Sequence, residues 1–396
     1  MNLLKKFEKH NINYTLLALF ISIVLVGFVM LFSSSIIIAE KKTGDQYYYI
    51  KHQLIFAIIP SIVLFLSFAF VDYRLIKKNY LIIFGISLLL LIAVLIPGIG
   101  DSHGGARSWI GIGPIPFQPA EIMKFSLIVF LGVVFERLDR DIKDFKQGFI
   151  PYVVVLGIIG ILLLMQPDLG TLSILYIVSL IVFFTAGGRK RHILLLLSAS
   201  FLALLLFLQL DQHLSGGIRT TRINLFLHPE QYSKRDEGYH VNQALIAVGT
   251  GGPFGRGIGN SVQKFSYLPE VIADSIFAVI AEELGFFLTV GFLSLYFFFL
   301  WNCLTVAKNA PDNFAKYFTV GVVSWIGFQV FVNVGAMIRL YPLTGVPLPL
   351  VSYGGTSMWV ISIACGVVLN ISRYAIPKEK FGGNMERKSR IIVNKD

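Results

Sequence analysis

The stretch that decides the fold is Tyr14-Thr-Leu-Leu-Ala-Leu-Phe-Ile-Ser-Ile-Val-Leu-Val-Gly-Phe-Val-Met-Leu-Phe-Ser-Ser-Ser-Ile-Ile-Ile38, which carries no charge. A helix needs about 20 mostly apolar residues to cross the hydrocarbon core of a bilayer, so this stretch predicts a transmembrane helix. Basic residues precede it, as in a secretory signal. However, the apolar run is about twice as long as that of a signal peptide, and no small-residue cleavage site follows it. We therefore expect a retained membrane anchor.

Further stretches of similar hydropathy follow along the chain. The complete set of predicted spans is 14–38, 53–71, 80–97, 117–135, 149–165, 170–186, 192–210, 275–307, 314–338 and 356–376. The stretch 275–307 is too long for one span, so we expect its first part, 275–285, to lie in the protein interior or at the membrane interface. The chain is 55% hydrophobic and 14% charged, whereas soluble proteins carry about 25% charged residues. This composition excludes a soluble enzyme and predicts an all-α polytopic membrane protein with about ten transmembrane helices.

The net charge of +11 would suggest a nucleic-acid partner in a soluble protein, but here it follows the predicted topology. Of the Lys and Arg residues, 22 fall at the termini and in the loops on one side, and five fall in the short loops on the other. Because basic residues concentrate on the cytoplasmic side, both termini are expected in the cytoplasm and no nucleic-acid partner is expected. The segment 211–273 then faces outward as one long ordered extracytoplasmic loop, and 377–396 is a basic cytoplasmic tail.

The signatures of soluble enzymes are absent or are chance matches. The glycine-rich run 249–259 does not contain G-x-G-x-x-G, and the seven histidines lack metal-ligand spacing. Ser261-Val-Gln-Lys264 and Lys42-Thr-Gly44 match two elements of a transpeptidase signature, but the third element is missing. Cys303 and Cys365 lie in apolar runs and are expected to be small core residues.

Ionisable residues at membrane depth are costly and therefore mark candidate functional sites. Glu121 and Lys124 are three residues apart on one predicted helical face, where they form either a structural ion pair or part of a site. Asp168 either caps the next helix or serves the site. The adjacent residues Glu282 and Glu283 point in directions about 100° apart on a helix, so we expect only one of them to face a site.

Asp274 stands between the outer loop and an apolar stretch, four residues after Glu270. Partial removal from water raises the pKa of a carboxyl and suits it to act as a general base. An aspartate before an apolar helix is equally typical of a helix cap. The residues alone leave both interpretations open.

Motifs in a consistent order resemble the SEDS family (shape, elongation, division, sporulation). They are Gly105-Ala-Arg-Ser-Trp-Ile110, Phe117-Gln-Pro-Ala-Glu-Ile-Met-Lys124, Gln166-Pro-Asp-Leu-Gly-Thr171, Gly238-Tyr-His-Val-Asn-Gln243, Tyr267-Leu-Pro-Glu270 with Asp274, and Pro342-Leu-Thr-Gly-Val-Pro-Leu-Pro-Leu-Val-Ser-Tyr-Gly-Gly355. The resemblance implies one SEDS-type membrane domain over residues 1–376. Gln263-Lys-Phe-Ser-Tyr-Leu-Pro-Glu270 and Gly44-Asp-Gln-Tyr-Tyr-Tyr49 are more similar to the division branch than to the elongation branch.

The resemblance implies a peptidoglycan glycosyltransferase that polymerises lipid II into glycan strands on the outer face of the plasma membrane, for septal wall synthesis in cell division. It implies a multi-pass protein at the septum. The implied partners are lipid II, the growing glycan chain, a class B penicillin-binding protein, other division proteins and membrane lipids. The alternatives are a lipid II flippase, an elongation-type polymerase and a non-catalytic scaffold.

The resemblance also implies roles for individual residues. Asp274 corresponds to the catalytic base, although the usual His-Thr-Asp-Phe reads Ile272-Ala-Asp-Ser275 here. Arg107 and Lys124 are expected to stabilise the charge of the leaving pyrophosphate, and a divalent cation (Mg²⁺ or Mn²⁺) is a candidate to share it. We expect an outward-opening cavity lined by irregular backbone from 98–119 and 342–355. The full set of expected substrate-binding residues is Arg107, Trp109, Gln118, Glu121, Lys124, Asp168, Glu270 and Ser352.

Overall fold

The computed structural model describes residues 12–103, 106–112, 115–214, 226, 236–265 and 267–375, so the predicted tail 377–396 lies outside the described residues. Each of the ten predicted spans coincides with a helix. The α-helices are α1 Tyr14–Thr43, α2 Tyr48–Gln53, α3 Ile59–Phe70, α4 Tyr73–Lys78, α5 Tyr80–Ala93, α6 Pro119–Leu138, α7 Ile150–Met165, α8 Leu169–Thr185, α9 Lys190–Leu214, α10 Asp236–Thr250, α11 Ile276–Lys308, α12 Asn313–Met337 and α13 Gly355–Ser372.

Helical segments of other types extend two of these spans. A π-helical segment, Leu54–Ile58, joins α2 to α3, and a second one, Phe145–Phe149, leads into α7. A 3₁₀ turn, Asp139–Lys143, follows α6. Within the described part of the chain, six continuous helical stretches are long and apolar enough to cross a membrane, and two shorter apolar helices accompany them. The prediction of a helical, polytopic membrane protein is confirmed.

The ends of α1 show how local chemistry sets a helix boundary. The Asn13 side chain accepts a hydrogen bond from the Leu16 backbone N–H at 3.1 Å, which satisfies one of the free donors of the first turn. At the other end Gly44 adopts a left-handed conformation with φ of 74° and donates to the Glu40 carbonyl at 3.0 Å. Glycine adopts this conformation without steric cost, so the helix ends there.

Helix α12 is at the centre of the bundle and packs against α6, α8 and α11. Its Trp325 is fully buried. Helix α13 packs along α3, where Asn370 accepts from the Tyr73 backbone N–H and donates to the Ala69 carbonyl. This central position matters for the site, because Gln329 and Asn333 of α12 donate to carbonyl groups of the loop that follows the helix.

Helix α11 is broken at Gly285, which has φ of 72° and ψ of −179°. All residues from Ile276 to Glu283 are buried, so the prediction that the first part of this stretch lies in the protein interior is confirmed. The glycine-rich run packs against the break: the backbone N–H of Phe286 donates to the Gly252 carbonyl at 2.8 Å, and that of Gly257 donates to the Glu283 carbonyl at 3.0 Å. The glycines of this run therefore serve close backbone packing.

The loop before α6 contains a small antiparallel sheet, which adds strands to the predicted all-α fold. The order is β1 (Gly100–His103), β2 (Ala106–Ile112) and β3 (Ile115–Phe117), with an irregularity in the β1–β2 register between Asp101 and Ser102. The expectation of irregular backbone over 98–119 is wrong for these residues. Their N–H and C=O groups find partners in the neighbouring strand instead.

Candidate active site

Asp274 lies directly before the buried first part of α11 and is itself 7% exposed. The helix begins at Ile276 with Ser275 in the cap position, so Asp274 is not the capping residue of this helix. Its backbone carbonyl accepts a hydrogen bond from Asn333 Nδ2 at 2.7 Å, and the same amide nitrogen donates to the Val346 carbonyl at 2.8 Å. Asn333 of α12 therefore joins Asp274 to the segment that follows α12.

This segment, Thr344-Gly-Val-Pro347, is the part of the backbone around which the site is assembled. A β carbon on Gly345 would lie 3.9 Å from Asp274 Oδ2, which places the carboxylate against the segment. Gly170 packs closely against the same segment: a β carbon on Gly170 would lie 2.6 Å from Val346 Cγ2. The start of α8, with Asp168, is thereby held against the same four residues.

Glu121 and Lys124 form a buried ion pair. Their side chains are each 2% exposed, and Lys124 Nζ donates to Glu121 Oε1 at 2.6 Å. The ammonium group also donates to Gln329 Oε1 at 3.1 Å and lies 5.2 Å from the centre of the Trp325 ring. Gln329 in turn donates to the Pro347 carbonyl at 2.9 Å. The pair is therefore connected to the same segment as Asp274, through a residue of α12.

Asp168 caps α8, as one of the two sequence interpretations expects. Its Oδ1 accepts from the Thr171 backbone N–H at 2.9 Å. Burial raises the pKa of the Asp168 carboxyl above its ordinary value, while the hydrogen bonds from Thr171 and the charge of Lys124 oppose that change. The cap uses one carboxylate oxygen and leaves the other for the site.

Several buried polar atoms around the segment have no hydrogen-bond partner among the described residues. They are Glu121 Oε2, Asp168 Oδ2, Asn333 Oδ1 and Thr344 Oγ1. Most buried polar atoms in proteins are hydrogen-bonded to protein or water, because an unsatisfied one costs about 1–3 kcal/mol. Their concentration around one segment is typical of a place where a polar ligand or water binds.

The strand β2 carries two of the predicted residues on one face. Arg107 is half-buried and donates from Nε to the Gly100 carbonyl at 3.1 Å, and Trp109 is also half-buried. Ser108 between them lies on the opposite face, where its hydroxyl donates to the Gln166 carbonyl at 3.3 Å. The sheet is thus attached to the connection that carries Asp168, with the Arg107 head group on the other face.

Gln118, Glu270 and Ser352 make contacts that shape the backbone. Gln118 precedes α6 and donates from its backbone N–H to Thr356 Oγ1 at 3.3 Å. Glu270 is exposed, has φ of 48°, and its carbonyl accepts from the N–H groups of Ala273 and Ser275. Ser352 is buried, and its hydroxyl accepts from the Leu348 N–H at 2.8 Å. Their expected contacts with substrate stay predictions.

Asp274, Asp168 and the pair of Glu121 with Lys124 are therefore each linked to the segment 344–347. Arg107, Trp109, Gln118, Glu270 and Ser352 lie in the surrounding backbone elements. Within the described residues, no three His, Cys, Asp or Glu side chains come together as metal ligands. The described residues therefore form no preformed ligand set for the candidate divalent cation.

Gln329 and Asn333 were not among the residues expected from the sequence. They lie four residues apart in a predicted span, on one helical face, and a buried amide pair at that spacing is itself a signal of a polar site. Both are at most 1% exposed. His240 and Ser275 were missed as well. His240 Nε2 lies 2.5 Å from the Ser275 hydroxyl oxygen, and nothing in the local sequence indicates that these two residues meet.

Glu282 and Glu283 both contact the segment 250–264, and the prediction that only one of them faces a site stays a prediction. Glu282 Oε2 accepts from the Ser261 hydroxyl at 2.5 Å, and Glu283 Oε1 accepts from Lys264 Nζ at 2.7 Å. The two neighbouring carboxylates therefore bond to different residues of this segment, Ser261 and Lys264. Ser261 and Lys264, the chance match to a transpeptidase signature, serve here as the partners of these two carboxylates.

The fold and the site together define a polytopic helical membrane protein with buried carboxylates at the junction of its helices and loops. The family model described as "Cell cycle protein", which covers FtsW, RodA and SpoVE, matches residues 13–376. The chain belongs to this family.

Two curated relatives match over most of their length. The chain is 38% identical over 350 residues to stage V sporulation protein E of Bacillus subtilis, covering 88% of this chain and 94% of that protein. It is 36% identical over 367 residues to the probable peptidoglycan glycosyltransferase FtsW of Francisella salina, covering 92% of this chain and 89% of that protein.

Two solved structures share the fold. A chain from a peptidoglycan synthase complex, described as coordinating polymerization and crosslinking, matches with a TM-score of 0.75 and 29% identity, covering 91% of this chain and 98% of that one. The rod shape determining protein RodA of Thermus thermophilus matches with a TM-score of 0.63 and 27% identity, covering 92% of this chain and 98% of that one.

Proposed function

We propose that this chain is a peptidoglycan glycosyltransferase that polymerises lipid II on the outer face of the plasma membrane, with Asp274 as its general base. The observation that carries the proposal is the position of Asp274. Its carboxylate is buried, and its backbone carbonyl is bonded to Asn333, which also bonds the segment 344–347. Buried polar atoms of Glu121, Asp168 and Thr344 lack partners among the described residues. The names of the relatives, among them probable peptidoglycan glycosyltransferase FtsW, support the substrate class.

The proposed reaction joins the sugar 4-hydroxyl of one lipid II to the anomeric carbon of another glycan unit. The new oxygen–carbon bond forms as the bond from the anomeric carbon to the lipid pyrophosphate breaks, and the pyrophosphate leaves with the electron pair. Asp274 accepts the hydroxyl proton. The Asp274 carboxylate suits this role because it is largely withdrawn from water and held against a polar, glycine-containing segment.

Lys124 is the proposed source of positive charge for the departing pyrophosphate. Its ammonium group is already paired with Glu121 and bonded to Gln329, so the site holds this charge without reorganisation. Arg107 is proposed to assist from the sheet, with Trp109 beside it, and Asp168, Glu270, Gln118 and Ser352 are proposed to shape the substrate-binding surface.

The wider context is proposed as follows. The distribution of basic residues supports cytoplasmic termini. With the termini in the cytoplasm, Asp274 lies on the outer side, where it reaches the sugar of a substrate whose lipid stays in the bilayer. A class B penicillin-binding protein is the proposed partner, since one structural neighbour belongs to a peptidoglycan synthase complex. Septal location and contact with other division proteins are proposed from the similarity to FtsW.

The proposal is tested by reconstituting glycan synthesis. The purified chain with its class B penicillin-binding protein is given fluorescent lipid II in detergent, and products are separated by length on a gel. Glycan ladders are expected from the complex, and no ladder from the penicillin-binding protein alone. A complex that assembles stably but yields no ladder contradicts the polymerase function. Transfer of labelled lipid II across vesicles by that same inactive preparation would favour the flippase instead.

A further inference from the structure

A chain of hydrogen bonds extends from His240 in α10 to the side chain of Asp274. His240 Nε2 lies 2.5 Å from the Ser275 hydroxyl oxygen, and this hydroxyl donates to Asp274 Oδ1 at 3.4 Å. All three residues are buried, with Ser275 fully inaccessible and the other two 7% exposed. The contact joins the outer segment, through α10, to the start of α11.

The direction of these hydrogen bonds follows from the chemistry of the groups. An ionised carboxylate only accepts hydrogen bonds, and a serine hydroxyl has one hydrogen to donate. When the hydroxyl of Ser275 donates to Asp274, its oxygen is left to accept from His240, so the imidazole carries its proton on Nε2. Burial lowers the pKa of His240 to about 4, so the ring is neutral at pH 7 and adds no charge beside the carboxylate.

We propose that His240 and Ser275 are positioning residues that hold the Asp274 carboxylate in its reactive orientation for the glycosyltransferase reaction. This inference rests on the proposed function. The bond from Ser275 fixes Oδ1, which leaves Oδ2 directed toward Gly345 and the segment of partnerless polar atoms. Neither His240 nor Ser275 contacts the reacting atoms; they act through Asp274.

The other charged residues of the proposed site lie on other elements. Glu270 is on the preceding turn and is exposed, whereas Glu121, Lys124 and Asp168 belong to α6 and to the start of α8. Asn333 holds the Asp274 backbone and therefore does not fix the side-chain rotation. The Ser275 hydroxyl, by contrast, contacts the carboxylate itself.

The test compares Ser275→Ala and His240→Leu with His240→Gln, which keeps a side-chain N–H donor. Rates of glycan formation by the full chain with its partner are measured against pH. Because a hydrogen bond to a carboxylate favours its charged form, Ser275→Ala should slow synthesis roughly tenfold and move the acidic limb of the profile up by about one pH unit. His240→Leu should shift it the same way, and His240→Gln should restore much of the rate. Wild-type profiles in both Ser275→Ala and His240→Leu, or a loss of rate with an unshifted acidic limb, would overturn the inference.

A second measurement does not depend on catalysis. Infrared difference spectra of the purified chain are recorded against pH, and the Asp274 carboxyl band is identified by its disappearance in Asp274→Asn. The midpoint of that band should rise in Ser275→Ala. An unchanged midpoint overturns the positioning role even when glycan is made. A shifted midpoint in a chain that makes no glycan supports the hydrogen-bonded chain and contradicts the proposed function.

Discussion

The buried ion pair between Lys264 and Glu283 provides a quantitative test of how the segment 250–264 is held. Lys264 Nζ donates to Glu283 Oε1 at 2.7 Å and to the Ser33 hydroxyl at 3.1 Å, and both charged side chains are at most 3% exposed. The contact joins the segment 250–264 to α11 and to α1. Lys264→Met keeps most of the apolar stem and removes the charge.

The expected loss follows from burial. Removing one partner of a buried pair costs about 3–5 kcal/mol, because the other charge stays buried without compensation. Glu283 keeps the hydrogen bond from the Ser33 hydroxyl, so we expect about 3 kcal/mol, the lower end of that range. Replacing both residues, as Lys264→Met with Glu283→Leu, should recover most of the loss, since no isolated charge then remains.

The assay is a double-mutant cycle. The free energy of unfolding of each variant is measured in detergent by denaturant titration. A matched control is the exposed pair of Lys51 and Asp45, whose side chains are 62% and 43% exposed. Asp45→Asn should change the free energy of unfolding little, because water and salt screen an exposed pair. A cost for Lys264→Met no larger than that of Asp45→Asn would refute the reasoning.

Three further predictions concern the kink, the histidine and the ion pair at the site. Gly285→Ala should lower the free energy of unfolding by about 2–5 kcal/mol, since its β carbon would lie 2.0 Å from a backbone nitrogen and its φ is 72°. The control Gly291→Ala should be neutral or slightly stabilising, because a β carbon there has open space around it. Equal thermal midpoints for the two variants would contradict this. Burial lowers the pKa of His240 to about 4, so between about pH 6 and 4 the unfolded chain binds a proton that the folded chain does not bind, and the free energy of unfolding should fall by about 1.4 kcal/mol per pH unit. Unfolding measured at several pH values should show a shallower fall in His240→Gln, and identical slopes would count against a buried neutral ring. Lys124→Met should cost about 3–5 kcal/mol by leaving Glu121 uncompensated, and adding Glu121→Leu should recover stability without recovering glycan synthesis; a double variant that regains synthesis would show that the pair is only structural.

The helices could be predicted from the sequence because hydropathy is a local property of the chain. Every predicted span became a helix, and the excess length of 275–307 indicated a buried first part that the structure places before Gly285. The predicted first part, 275–285, ends at the residue where the helix breaks, but the break itself was not predicted. It accompanies the close approach of Gly255, whose backbone nitrogen would lie 2.0 Å from a β carbon on Gly285, and such contacts join residues that are distant in sequence.

The site was predictable only in part for the same reason. Asp274, Glu121 and Lys124 were identified from motifs and from charge at membrane depth. The segment 344–347 connects them through Gln329 and Asn333, and this arrangement requires α12 to be central in the bundle. Pairing of β1 with β2 is likewise non-local, so glycines and prolines that predicted irregular backbone formed a sheet instead.

The central claim, that Asp274 is the base in glycan polymerisation, is tested most directly by the initial rate of glycan formation in Asp274→Asn. Asp312→Asn is the control, because Asp312 caps α12 by accepting from the Ala315 N–H at 2.7 Å and an asparagine caps equally well. The account predicts a loss of at least about 100-fold for Asp274→Asn and a near wild-type rate for Asp312→Asn. A folded, partner-bound Asp274→Asn that polymerises lipid II at the wild-type rate would contradict it.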